Sequence, residues 1–229
     1  MTEIRPAPFR EGVRDGIPIA LGYFAVSFTL GIAARNAGLN AFQGFLASLL
    51  NLASAGEYAG FALIAVSAPY WEVAMVTLIT NARYLLMSCA LSQKLAPDTP
   101  LLHRVGVGYA VTDELFGIAM ARPGALEPAY SYGAMSVAVP CWAVGTALGV
   151  IAGNVLPLRA VSALSVALYG MFLAVIIPPA RKDRVVAGLV ALSFAASYAA
   201  GRLPVVSGLS GGSRTILLTL ILAGGAAAL

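Results

Sequence analysis

Four ionisable side chains lie deep inside otherwise apolar stretches of the chain: Glu57, Arg83, Asp113 and Glu114. A charge near the centre of a bilayer costs about 2.5–3.5 kcal/mol on insertion scales, so each needs a partner, a water-filled cavity or a proton. Glu57 sits in the apolar run Phe42 to Val66 together with Asn51, Ser54 and Tyr58. On a regular helix these four share about one third of the circumference. In the next run, Thr77, Thr80, Asn81, Tyr84 and Ser88 recur at three- and four-residue steps and form a second polar stripe. Arg83 lies off the edge of that stripe, roughly 13–16 Å from either end of its run, too deep to snorkel easily. A buried arginine requires a carboxylate, and the acids available are Glu57, Asp113 and Glu114. The fourth run adds Tyr109, Thr112 and Asp113 on one face. Glu114 points about 100° away from Asp113 on a regular helix, so it either serves another contact or marks an unwound turn. Such a set can relay a proton or a substrate at mid-membrane. It can also lock helices together as a buried ion network.

The elements that must position these groups are membrane helices. The chain has 229 residues, 59% apolar and 10% charged, with mean hydropathy +0.86. A soluble domain is about one quarter charged. The composition predicts an all-α polytopic membrane protein, one domain over residues 1–229. Apolar runs occur at about Ile17–Ala34, Phe42–Val66, Glu72–Ser92, Val105–Ala121, Tyr130–Leu156, Val161–Ile177, Val185–Gly201 and Thr215–Leu229. They predict seven to eight helices, spanning or partly re-entrant. Arg5, Arg10 and Arg14 precede the first run without a convincing cleavage site, which predicts a retained first span. The net charge of +4 is spread along segment ends, as for lipid-headgroup anchoring rather than nucleic-acid binding. The loop charges leave the orientation open, with a slight bias to a cytoplasmic N-terminus.

The segment Phe24–Asn36 resembles Trp142–Asn154, and Asn51, Ser54, Tyr58 and Phe61 line up with Ser162, Ser165, Tyr169 and Phe172. This predicts an internal repeat, about 17–92 and 135–201, as in secondary transporters with a central site. Gly145, Gly149 and Gly153 space a helix-packing face, and Gly56 and Gly60 allow either close helix approach or an opening of the helix there. Cys89 and Cys141 read as small buried hydrophobes. Gly208–Gly212 matches GxSxG, but a serine nucleophile needs a base, and the one histidine, His103, precedes the fourth run. HExxH, P-loop and CxxC motifs are absent from the sequence. No metal, cofactor or enzymatic activity is expected.

Phe9-Arg-Glu-Gly12, Asn81-Ala-Arg83-Tyr84, Thr112-Asp113-Glu114-Leu-Phe116, Leu156-Pro157 and Ala167-Leu-Tyr-Gly-Met-Phe172 together resemble the AzlC/BrnF/YgaZ family. The resemblance covers nearly the whole chain. It implies the large subunit of an exporter of branched-chain amino acids and methionine in the inner (plasma) membrane. It further implies a small AzlD/BrnE-type partner subunit and use of the proton motive force. The family commonly has Gly and Gln where this chain has Ser54 and Glu57. An acid in place of the amide favours proton coupling or a cationic group on the substrate.

The sequence therefore predicts a proton-coupled exporter of amino acids. Glu57 and Asp113 are expected as proton or ammonium partners, Arg83 as carboxylate partner or network anchor, and Asn81 and the stripe hydroxyls as polar ligands. Asn51, Ser54, Tyr58, Tyr84, Tyr109, Thr112 and Glu114 complete the expected site. The rival readings are a non-transporting membrane scaffold and a channel for ions or small solutes.

Overall fold

The computed structural model describes residues 8–155, 180–202 and 211–227, with a few single positions between them. All regular structure there is helical: α1 (Pro8–Asn36), α2 (Ala41–Asn51), α3 (Ser54–Ala65), α4 (Tyr70–Thr80), α5 (Arg83–Lys94), α6 (Leu101–Gly108), α7 (Asp113–Ala121), α8 (Pro128–Val155), α9 (Arg184–Arg202) and α10 (Gly211–Ala227). Among the described residues three helices are long and apolar enough to cross a membrane, within α1, α8 and α9. The pair α4–α5, bent by 49° at Asn81–Ala82, passes the same test only when its two halves are taken together, as a broken span or a re-entrant loop. Large apolar side chains such as Leu21, Leu50 and Leu86 point outward, as lipid contact requires. Nearly all of the sixth apolar run, the repeat mates Ser162, Ser165, Tyr169 and Phe172, and the Gly208–Ser210 part of the GxSxG match lie outside the described residues.

The frame is the seam between α1 and α8. The two run parallel, with Gly12 and Gly16 against Tyr130–Val137 and Gly31 against Thr146–Val150. At 1.5 Å per residue each is about 40 Å long. Small residues let the backbones touch, the usual device where lipid leaves no hydrophobic drive between helices. A methyl group on Gly149 would run into the Phe28 carbonyl, and one on Gly31 into the Thr146 carbonyl. Gly149→Val is therefore expected to destabilise at or beyond the upper end of the ~1–3 kcal/mol typical of overpacking, since backbone cannot give way. Thermal unfolding in detergent checks this. Gly117→Ala, inside α7 with open space around it, should leave the midpoint no lower and stabilise by up to ~1 kcal/mol through helix propensity. The predicted glycine packing face on α8 thus holds at Gly145 and Gly149. The similar segments 24–36 and 142–154 are neighbours along this seam, running in the same direction.

The second, third and fourth runs do not form straight helices. The second breaks at Leu52, whose backbone is left-handed (φ 46°). A non-glycine residue there costs roughly 1–2 kcal/mol, offset by burial of the Leu52 side chain in the main core. The break falls before Gly56 rather than at the glycines. The fourth run unwinds over Tyr109–Thr112, and Thr112 caps α7 by accepting the Leu115 N–H at 3.3 Å. At the C-terminal end of α5, Arg104 donates to the carbonyls of Ser92 and Ala96. Nearby, Arg122 pairs with Glu11 at 2.6 Å and lies over the Tyr130 ring. Elsewhere α10 docks on α4 where buried Glu72 accepts the Ser213 N–H at 2.8 Å, an anion at a helix N-terminus.

Candidate functional site

The three breaks meet. Asn81 Nδ2 donates to Asn51 Oδ1 at 3.3 Å, joining the second break to the first. The Tyr109 hydroxyl donates to the Leu49 carbonyl, joining the third break to the last turn of α2 and satisfying a helix-end acceptor. Gly56 is needed at this crossing: a Cβ would collide with the Asn81 amide.

Above these ties opens a cavity of about 570 Å³. Its floor is the first turn of three half-helices: Leu52, Ser54 and Ala55 of the second run, Arg83 and Tyr84 of the third, Thr112, Asp113 and Glu114 of the fourth. Its wall is apolar, with Pro18, Ile19, Gly22 and Val26 of α1. Tyr23 and Trp142 close it. Both are 13–15 residues from either end of their helices, about 20 Å, so the cavity is at mid-span.

The charges divide into two groups. In the cavity, Arg83 forks onto Asp113, with Nε donating to Oδ1 at 3.2 Å and Nη2 to Oδ2 at 2.8 Å. The pair is 42% and 47% exposed, so it is open to whatever fills the space. Arg83 also lies 4.8 Å from the Tyr84 ring centroid. Glu114 accepts the Tyr23 hydroxyl at 2.8 Å, and Tyr23 is also bonded to Thr112. Glu114 thus has another contact, and the helix before it is unwound; both expectations for this residue hold.

Glu57 stands behind Trp142, 2% exposed. Its Oε1 accepts Trp142 Nε1 at 2.7 Å and the Ala53 N–H at 3.2 Å. Its Oε2 is 2.5 Å from Ser48 Oγ, which is 2.6 Å from Thr146 Oγ1, which is 3.3 Å from the Trp142 carbonyl. This hydroxyl chain can run in either direction. With Glu57 charged, Thr146 donates to Ser48 and Ser48 to the carboxylate. With Glu57 neutral, its own proton goes to Ser48, Ser48 donates to Thr146, and Thr146 donates to the carbonyl. Neither state leaves a buried carboxyl oxygen unsatisfied, which would otherwise cost about 1–3 kcal/mol or more.

Of the residues singled out in the sequence, Ser54, Arg83, Tyr84, Thr112, Asp113 and Glu114 line the cavity. Asn51, Asn81 and Tyr109 tie the breaks beneath it, Glu57 is one layer back, and Tyr58 packs against the main core. Sequence reasoning missed Tyr23, Ser48, Trp142 and Thr146. The available signal was a tryptophan and a tyrosine in apolar runs, each needing a partner for its polar atom.

The family described as AzlC protein matches residues 18–156, a stretch containing all three breaks and the cavity. The chain belongs to the AzlC family. It is similar to an "Uncharacterized membrane protein" of Archaeoglobus fulgidus, 32% identical over 83% of this chain and 86% of that relative. It is also similar to "Inner membrane protein YgaZ" of Escherichia coli K12, 24% identical over 66% of this chain and 64% of YgaZ. No solved structure matches. AzlC membership and these likenesses make the chain a membrane protein and support a transporter-like role.

Proposed function

We propose that this AzlC protein is a secondary transporter that exports amino acids with branched-chain or methionine-like side chains, driven by protons, from a multi-pass position in the plasma membrane. The observation that carries the reading is one mid-span cavity with both signs of charge on its floor and an apolar wall opposite. Its volume is within the 300–1,000 Å³ usual for small-molecule sites. A zwitterion fits this division. The carboxylate meets Arg83 and the first turn of α3, which no side chain caps. The ammonium meets Asp113 and Glu114, and the side chain lies along Ile19, Gly22 and Val26. Broken helices at the floor provide the hinges that alternating access needs. Glu57, served by a reversible hydroxyl chain, is the proton carrier. A structural ion network would be dry and closed, whereas the Arg83–Asp113 pair is open to the cavity.

The small AzlD/BrnE-type subunit is proposed as the partner in export. The test reconstitutes the chain in liposomes, with and without that subunit, and follows labelled L-leucine and L-methionine under an imposed pH gradient. Saturable, gradient-driven flux is expected. No flux in either preparation returns the chain to a scaffold role, and unitary current steps make it a channel.

A further inference from the structure

We propose that the Trp142 indole is a gate between the cavity and Glu57, and that Tyr23 sets its position. The inference rests on the transport reading and identifies how the occupant of the cavity and the proton are linked.

Trp142 belongs to both sides: it lines the cavity and its N–H holds Glu57 Oε1. Glu57 itself does not line the cavity. The chain at the start of α3 is Ala53, Ser54, Ala55 and Gly56, all small, and Trp142 is the cavity-lining side chain bonded to the Glu57 carboxyl. Tyr23 packs edge-on against Trp142, with centroids 5.1 Å apart and planes at 68°. Tyr23 is in turn held by Thr112 and Glu114, two cavity residues. An ammonium that takes Glu114 displaces the Tyr23 hydroxyl, frees the ring, and removes the edge that holds the indole. When Trp142 swings away, Glu57 keeps Ser48 and the Ala53 N–H, so opening orphans no carboxyl oxygen. A proton from cavity water then reaches the carboxylate and leaves by the same route. The polar groups that face Glu57 directly are Ser48 from α2, Trp142 from α8 and the Ala53 backbone, with Thr146 of α8 behind Ser48. Beyond the gate stand Tyr23, Tyr84, Arg83, Asp113 and Glu114.

The test needs no substrate. A water-soluble carbodiimide with glycine ethyl ester converts accessible carboxyls to amides, read by mass spectrometry. Asp113 and Glu114 should label in every variant. Glu72, also 2% exposed but under α10, reports loss of fold. In the wild type Glu57 should label slowly. Trp142→Ala holds the gate open and should raise Glu57 labelling about tenfold or more, since an opened minor state is typically 0.1–10% populated. Tyr23→Phe, which keeps the ring and loses the tether, should raise it by a smaller factor. Glu72 should stay flat in both. Unchanged Glu57 labelling in Tyr23→Phe, or in Trp142→Ala with Glu72 flat, overturns the gate. If Trp142→Ala labels Glu72 as well, it has unfolded and Tyr23→Phe decides alone. Liposomes that move no amino acid while Glu57 labelling still follows Trp142 would sink the transport reading and not the gate.

Discussion

Glu57→Gln should fold, should still bind substrate, and should lose concentrative transport. Glutamine reproduces the neutral carboxyl heavy atom for heavy atom, with one further N–H. Its Oε1 accepts from Trp142 Nε1 and the Ala53 N–H, and its Nε2 donates to Ser48, which donates on to Thr146. The hold on Trp142 and on the Ala53 N–H therefore survives. What is lost is the second state of the hydroxyl chain. A two-unit pH gradient stores roughly 2.7 kcal/mol per proton, enough for about 100-fold accumulation through one-proton coupling. In Glu57→Gln that factor should fall to about one, while exchange of labelled for unlabelled L-leucine at equal pH continues. Glu57→Ala is the contrast. It strips acceptors from Trp142 and Ala53 and leaves a cavity, so its thermal midpoint should drop. Gradient-driven accumulation that persists in Glu57→Gln removes Glu57 from the proton role.

Ser48 and Thr146 extend the same logic. Ser48→Ala cuts the chain at its first link and leaves Glu57 Oε2 without its hydroxyl partner. Destabilisation of about 1–3 kcal/mol is expected, measured by thermal unfolding, because an unmet buried acceptor carries its full desolvation cost. The effect should be smaller in Ser48→Ala with Glu57→Leu, where the buried carboxyl is also gone.

The membrane class was legible because hydropathy over twenty residues is a property of composition, insensitive to where the chain bends. The Arg83 partner was legible in kind, since a deep guanidinium must find a carboxylate, but not in identity. Asp113 is the partner because the fourth run unwinds before Thr112 and begins a new helix there. The breaks themselves were not legible at Leu52–Ala53, where no glycine or proline stands. That turn is set by tertiary effects, the burial of Leu52 and the capture of the Ala53 N–H by Glu57. Across it the 100° rule no longer adds up. Asn51, Ser54 and Glu57 share a face only on an unbroken helix; here Ser54 lines the cavity, Glu57 turns to α8 and Asn51 meets Asn81. Tyr23 and Trp142 were overlooked for another reason. They are uncharged, so their cost shows only once their partners, Glu114 and Glu57, are placed.

Arg83→Gln should weaken L-leucine binding about 10- to 100-fold with little change in stability, and the combination is what separates a substrate ligand from an anchor. The Arg83–Asp113 pair is more than two-fifths exposed on both sides. Such pairs contribute ~0–1 kcal/mol to folding, so the thermal midpoint should move by no more than a few degrees. A carboxylate in the cavity, by contrast, would lose a charge-assisted hydrogen bond worth about 1.5–3 kcal/mol, which converts to that range of affinity. Arg83→Lys should recover only part of it, because an ammonium offers a point charge where the guanidinium offers a fork. Asp113→Asn leaves Arg83 unopposed and should slow release of the substrate carboxylate while weakening hold on the ammonium. The double variant should bind more weakly than Arg83→Gln alone, since it also loses the Asp113 carboxylate that meets the ammonium, and the departure from additivity measures how far each group positions the other. Calorimetric binding and thermal unfolding of the four proteins in one detergent complete the cycle. A midpoint that falls sharply with affinity unchanged would make the pair a tie between α5 and α7, and the carboxylate end of the substrate would have to be held elsewhere.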